Sequence, residues 1–348
     1  MNQDKLREVR TDMPSVLHEL YADKRVVVLG GNGMLGSYVV DLLAEAGSVI
    51  AIADIQYRKN SKDVSAYELD CSSEDELERL ISPSLFCTQP DVVINCAAKV
   101  TGIVYNERHH AEMCLANAEL AVAPLKACLN ANVSRYVYVS SACVYPAEAD
   151  IPTEEHWGWN GNPEPTNYGY GLAKRFGEQC CMLAAAEHPW FKPLVLRPSN
   201  MYSPRDKFDD ENAHVIPRTI RRILSHENPL LMRGTGSVRR SFLHARDAAE
   251  GLLLAAATDH VGILNLPAAG RDECSIDGLI AMILGITKEY PRVEFTGQGA
   301  DGYRQRLSCA KELNRVLKNA GMAWHPETDL QDGLVEVVES CRKWMNDK

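Results

Sequence analysis

Five side chains of the 348-residue chain are of types that move protons or stabilise developing charge: Ser141, Cys143, Tyr170, Lys174 and His214. Tyr170 and Lys174 lie in Tyr168-Gly169-Tyr170-Gly171-Leu172-Ala173-Lys174, a segment that reads as helix, so at a spacing of four they share a face. A free phenol titrates near about 10, and a neighbouring cation favours its phenolate. The expectation is that Lys174 brings Tyr170 toward neutral pH as a base for a hydroxyl proton. Ser141 and Cys143 fall in Ser140-Ser141-Ala142-Cys143-Val144-Tyr145-Pro146, just after an apolar run. His214 precedes Val215-Ile216 and reads first as a structural hydrogen-bonder, with a proton carrier as the minority alternative. Arg239-Arg240 reads as an anion site or a surface pair. His109-His110, Glu112 and Cys114, and the pair Cys180-Cys181, suggest a metal by type alone. Adjacent helical residues point apart, so they are read as solvated histidines and core thiols, with no metal.

The elements that must position these groups follow from hydrophobic patterning. Val26-Val27-Val28-Leu29 is a continuous apolar run, as in a strand covered on both faces. It enters Gly30-Gly31-Asn32-Gly33-Met34-Leu35-Gly36 and then the helical Ser37–Leu43. Strand, glycine-rich turn and helix make a dinucleotide site, because glycines let backbone approach a pyrophosphate and the helix start offers free N–H groups. Gly30, Asn32, Gly33, Met34, Leu35 and Gly36 are therefore expected around the cofactor. The second strand, Val49–Ala53, ends at Asp54, placed to accept from the adenosine ribose hydroxyls and to repel a 2′-phosphate. This favours NAD over NADP, although Arg58 and Lys59 close behind could recruit that phosphate. Asp70 reads either as an adenine contact or as a helix N-terminal carboxylate. Asp91–Ala98 is a further buried strand whose small residues Ala97 and Ala98, followed by Lys99, pass close to the cofactor. With a helix around Ala111 to Ala131 and the strands Arg135–Val139 and Lys192–Arg197, the pattern is an α/β fold, a doubly wound parallel Rossmann sheet.

Regular alternation fades after Arg197. The predicted organisation is a helical leader over 1–22, a cofactor domain over 23–198 to which 237–266 returns, and a smaller C-terminal substrate-binding domain over 199–236 and 267–348. The chain has 37 basic and 47 acidic residues, a net charge of −10, which argues against general affinity for nucleic acid or an anionic membrane. The 11 scattered cysteines, without Cys-x-x-Cys spacing, and the polar start Met1-Asn2-Gln3-Asp4-Lys5 suggest a reduced, cytoplasmic protein. No apolar run approaches the roughly 18 residues of a membrane span.

With these residues in view, the chain resembles the extended short-chain dehydrogenase/reductases that act on nucleotide sugars, in the NAD-dependent epimerase/dehydratase family. Within that family it is most similar to the GDP-L-fucose synthase and GDP-mannose 3,5-epimerase groups. The resemblance rests on Asn95-Cys96-Ala97-Ala98-Lys99-Val100, Glu164-Pro165-Thr166-Asn167, Glu211–Pro217 and Arg240-Ser241-Phe242-Leu243-His244. It implies that Ser141, Tyr170 and Lys174 form the hydride-transfer set, with Tyr170 and Lys174 also touching the cofactor. It further implies that Cys143 and His214 epimerise and Arg240 binds the diphosphate. Gly102, Ser141, Cys143, Asn200 and Val215 would contact substrate. Arg233 stands where the synthase group has a Trp, and Thr101 where it has a Gly.

These roles imply a chemistry. Removal of hydride from C4 of a hexose gives a 4-keto sugar, whose carbonyl acidifies the C3 and C5 hydrogens. A thiol on one face and an imidazole on the other can then invert a centre, and return of hydride closes a redox-neutral cycle. The expected function is an NAD-linked epimerase of a nucleotide-diphospho-sugar, GDP-linked, acting as a homodimer. The alternatives are an NADPH-dependent GDP-4-keto-6-deoxymannose epimerase/reductase and a cofactor-sensing module without turnover.

Overall fold

The structure, a computed structural model, describes residues 13–56, 64–82, 89–208, 213–297 and 307–348. In chain order its first half comprises α1 (Met13–Tyr21), β1 (Arg25–Leu29), α2 (Met34–Glu45), β2 (Val49–Asp54), β3 (Val64–Glu68), α3 (Glu74–Ile81), β4 (Val92–Asn95), α4 (Ile103–Arg108), α5 (His110–Asn130), β5 (Arg135–Val139) and α6 (Tyr168–Glu187). The second half comprises β6 (Lys192–Pro198), β7 (Asn200–Tyr202), α7 (Val215–Leu224), β8 (Leu230–Met232), β9 (Arg239–His244), α8 (Ala245–Ala256), β10 (Gly262–Leu266), β11 (Glu273–Ser275), α9 (Ile276–Thr287), β12 (Val293–Phe295), α10 (Lys311–Asn319) and α11 (Leu330–Asn346).

Seven strands form one parallel sheet in the order β10-β6-β5-β4-β1-β2-β3. The order reverses between β1 and β4, so the loops leaving those two strands open a crevice at the sheet's carboxyl edge, where such folds bind their ligands. Strand pleating explains why β1 reads as an unbroken apolar run. Val26 and Val28 enter a core on one face of the sheet, while Val27 and Leu29 enter a second core on the other. Ile50 and Ile52 divide from Ala51 and Ala53 in the same way. Met13, Leu17 and Tyr21 of α1 are buried against the first core, and the Tyr21 hydroxyl donates to Leu253 O at 2.7 Å.

A third core, built from Ile216, Ile220, Ile223, Leu279, Ile283, Leu334, Val337 and their neighbours, holds the smaller C-terminal part together. There β7, β9 and β11 make a three-stranded sheet, and β8 pairs with β12. β10 pairs with β6 at the edge of the large sheet and α8 packs into the first core, whereas β9 pairs with β7 and β11.

Candidate active site

The turn after β1 is shaped by close approach. Gly30 has φ +72°, and a Cβ there would lie 2.8 Å from Ala97 N in the loop after β4. A Cβ on Gly36 would lie 2.1 Å from Gly30 O, so this glycine sits behind the turn and lets α2 pack onto it. Gly33 is the N-cap of α2 and supplies no side-chain cap, which leaves the first helical N–H groups of the helix to a ligand. Gly30, Asn32, Gly33, Met34 and Leu35 line the crevice directly, while Gly36 is absent from its wall. The Asp54 carboxylate faces this loop, accepting from Asn32 N at 3.0 Å and Gln56 N at 3.1 Å. Arg58 and Lys59 lie outside the described residues. Asp70 accepts from Ser72 N at 2.9 Å just ahead of α3, and it also borders the cavity. Ala97, Ala98 and Lys99 form the wall opposite, with the Lys99 ammonium paired to Glu112. A closely approached turn, exposed helix N–H groups and a carboxylate at the end of β2 together fit a dinucleotide.

Strand β5 and helix α6 bring the reactive groups to the same edge. Ser141 Oγ accepts from Cys143 N at 3.1 Å in the short turn Ala142–Val144, and Ser141 is also hydrogen-bonded to the Tyr170 hydroxyl. Gly171 permits close packing, since a Cβ there would lie 2.7 Å from Cys143 O. Lys174 is buried, donates to Val139 O at 2.8 Å, and lies 4.8 Å from the Tyr138 ring centre and 5.7 Å from that of Tyr170. Burial lowers its pKa to about 8, against the pull of Cys96 and Glu178. The expectation that the lysine draws the Tyr170 phenol toward neutral is corrected here. Burial dominates and raises the phenol above its ordinary value, nearby Cys143 adds to the rise, and only the Ser141 hydrogen bond opposes it.

Beneath these groups lies a fully buried ion pair. Glu178, one turn beyond Lys174, accepts from Arg197 Nε at 2.8 Å and Nη2 at 2.6 Å and also from the Ser140 hydroxyl. Arg197 donates in addition to Tyr145 Oη at 3.0 Å and Glu155 O at 2.7 Å.

The smaller part supplies the far wall. His214 is the N-cap of α7, and its Nδ1 is 2.8 Å from Asp206 Oδ2. Burial works to lower the imidazole pKa, but the Asp206 carboxylate outweighs it and holds the group above 6.5, with Lys207 opposing. Asn200 Nδ2 donates to Ser241 O at 3.3 Å, and Arg240 Nη1 to Arg239 O at 2.8 Å. Arg233 pairs with Glu107 of α4 at 2.7 Å, joining the two sides of the crevice. The Thr101 hydroxyl donates to Asn106 Oδ1 at 2.7 Å, and Asn106 Nδ2 donates to Asn167 Oδ1 at 2.7 Å.

One cavity of about 1080 Å³ is bordered by Gly102, Ser141, Cys143, Tyr170, Lys174, Asn200, His214, Val215 and Arg240. Arg218 and Arg222, one and two turns after His214, border it too and were not among the expected site residues. Their spacing of four and eight from His214 was a readable signal. Asp206 and Glu164 border it as well and were also missed; Glu164 opens the Glu164–Asn167 stretch that carries the resemblance, whereas nothing in its local sequence marks Asp206. His109 and His110 are engaged separately, with Tyr105 O at 2.9 Å and Gly169 N at 3.4 Å.

Comparison with known proteins places these observations in context. The NAD dependent epimerase/dehydratase family matches residues 26–266. The chain is 29% identical over 327 residues to a GDP-L-fucose synthase of Sinorhizobium fredii, covering 91% of this chain and 95% of that one. It is similar in structure to an epimerase of Methanothermobacter thermautotrophicus, with TM-score 0.83 and 21% identity over 97% of each chain. A UDP-glucose 4-epimerase of Thermotoga maritima gives TM-score 0.79 and 24% identity, covering 92% of this chain and 99% of that one.

Proposed function

Because the chain belongs to the NAD dependent epimerase/dehydratase family and is a nucleotide-sugar enzyme, we propose that it is an NAD-linked epimerase of a GDP-hexose, inverting C3, C5 or both. One observation carries this reading: Cys143 and His214 border the same cavity as Ser141, Tyr170 and Lys174. Simple 4-epimerisation or dehydration leaves the thiol and the imidazole without work. The guanine assignment draws on the names of relatives such as GDP-L-fucose synthase.

In this mechanism Tyr170, hydrogen-bonded to Ser141, takes the C4 hydroxyl proton, and the buried Lys174 ammonium, 5.7 Å from the Tyr170 ring centre, would hold the nicotinamide ribose. A dinucleotide held by the Gly30–Leu35 turn and Asp54 would supply the hydride acceptor and donor for C4. Cys143 removes a proton from the carbon next to the 4-keto group, and His214 delivers one to the opposite face. Arg240, with Arg218 and Arg222, meets the diphosphate. Asp54 supports NAD, because its carboxylate already faces the loop that would hold the adenosine ribose and repels a 2′-phosphate.

Self-association through α5 and α6 accompanies this reading. Phe176 and Leu183, seven residues apart on α6, are 50% and 59% exposed, and Leu115 on α5 is 66% exposed. Light scattering should give twice the chain mass.

The relatives named GDP-L-fucose synthase favour a second reading, a reductase that also epimerises. Nucleotide released from denatured protein separates the two: tightly held NAD supports the epimerase, and an exchangeable NADPH site supports the reductase. Incubation with GDP-mannose in deuterated water should place deuterium at C3 or C5. Cys143→Ser should lower that exchange by about 100-fold or more relative to C4 oxidation. Undiminished exchange in the variant would remove the thiol from the mechanism.

A further inference from the structure

We propose that Asp206 is a positioning residue for the proton transfer at C3 and C5, holding His214 in the tautomer whose Nε2 is the reactive nitrogen. This rests on the epimerase reading above. A carboxylate at neutral pH only accepts hydrogen bonds, so the 2.8 Å contact from His214 Nδ1 to Asp206 Oδ2 requires the proton on Nδ1. Nε2 is then the nitrogen left to meet a sugar in the cavity that His214 borders.

The arrangement around the pair is built rather than incidental. The Asp206 side chain is 6% exposed, against 33% for His214, so the carboxylate is withdrawn behind the ring it orients. Asp206 N donates to Ser203 O at 3.2 Å, and Asp206 Oδ1 accepts from Lys207 N at 2.8 Å. The second carboxylate oxygen is therefore turned to the imidazole. Arg205 braces the same loop from the other side: its Nη2 lies 2.6 Å from Asp41 of α2, and its guanidinium carbon stands 3.8 Å from the Tyr38 ring centre. His214 itself begins α7 in extended backbone, φ −66° and ψ 168°, which sets the ring between the helix start and the loop.

The charged neighbours of the ring are of both signs. Asp206 stabilises the imidazolium and Lys207 destabilises it, while Arg218 stands one turn along α7 and Cys143 borders the same cavity. The aspartate has the larger effect, so His214 still carries a deliverable proton above the pH at which a free imidazole has lost it. A proton donor facing a carbanionic carbon needs both this charge and this orientation.

Asp206→Asn keeps an acceptor for Nδ1–H and removes the charge. In this variant deuterium exchange at C3 or C5 should fall about 10- to 100-fold relative to C4 hydride transfer. The basic limb of the exchange profile should also move to lower pH. Nitrogen-15 spectra of the unaltered protein should show neutral His214 protonated on Nδ1. An Nε2-protonated ring, or an unchanged exchange ratio and pH profile in Asp206→Asn, overturns the inference. Absence of exchange in the unaltered enzyme instead overturns the epimerase reading, and the nitrogen spectra still decide the role of Asp206.

Discussion

Replacing Arg197 with methionine should destabilise the protein by about 3–5 kcal/mol, because it strands a charge where water does not reach. Both side chains of the Arg197–Glu178 pair are 0% exposed. After Arg197→Met, Glu178 keeps only the Ser140 hydroxyl of its charge-assisted partners, and Tyr145 and Glu155 O lose theirs as well. Converting Glu178 to methionine in addition removes the stranded carboxylate. The double variant then loses mainly the contacts to Ser140, Tyr145 and Glu155 O, at about 1 kcal/mol each. It should therefore sit about 1 kcal/mol closer to the parent than the single variant, an interaction readable as a double-mutant cycle from urea unfolding. The site should report the same change, since Glu178 is one turn from Lys174 and Ser140 precedes Ser141. A single variant within about 1 kcal/mol of the parent, or strict additivity of the two substitutions, refutes the reasoning.

Gly36→Ala should reduce nucleotide affinity by at least about 10-fold, because its Cβ would meet Gly30 O at 2.1 Å and push α2 off the turn; calorimetric titration with NAD checks this, and unchanged affinity counts against the packing argument. Stability should also fall as pH drops from about 6.5 toward 4 through His244. Burial, with help from Arg246 and Arg205 and against Asp247, lowers its pKa to about 4, and its Nδ1 accepts from Arg246 N at 3.3 Å as the N-cap of α8. The neutral ring is thus favoured by folding, and the stabilisation is full above the unfolded value of about 6.5 and lost as pH falls through about 4. It amounts to about 3 kcal/mol and should be missing from His244→Asn, which retains a capping acceptor; parallel urea midpoints across this range would contradict it.

Much of the large sheet could be read from the chain because its strands are covered on both faces and so appear as runs such as Val26–Leu29 and Val92–Asn95. The turn at Gly30 was legible for a related reason: backbone touching backbone at Ala97 tolerates no side chain, and glycine spacing records that. The small sheets were not, since β7, β8 and β11 are three residues each and carry no period of their own. Asp206 was invisible because its partner is set by how a loop folds back on a helix start, not by spacing. The environment of Tyr170 was misread for a similar cause: sequence shows the lysine one turn away but not the depth of burial, which governs the phenol.

The enclosing walls of the cavity come from two different parts of the fold, the large sheet and the smaller C-terminal part. Ser141, Cys143, Tyr170 and Lys174 stand at the edge of the large sheet, where α6 packs on its core, and His214 and Arg240 stand on elements that pack on the third core, with Arg205 and Arg233 strapped across the join. In the proposed mechanism, oxidation at C4 draws on one body alone, whereas handedness at C3 or C5 depends on how the two bodies are seated. Substitutions along that seam, remote from any reacting atom, are thus where a relative with the same redox step would acquire a different stereochemical outcome.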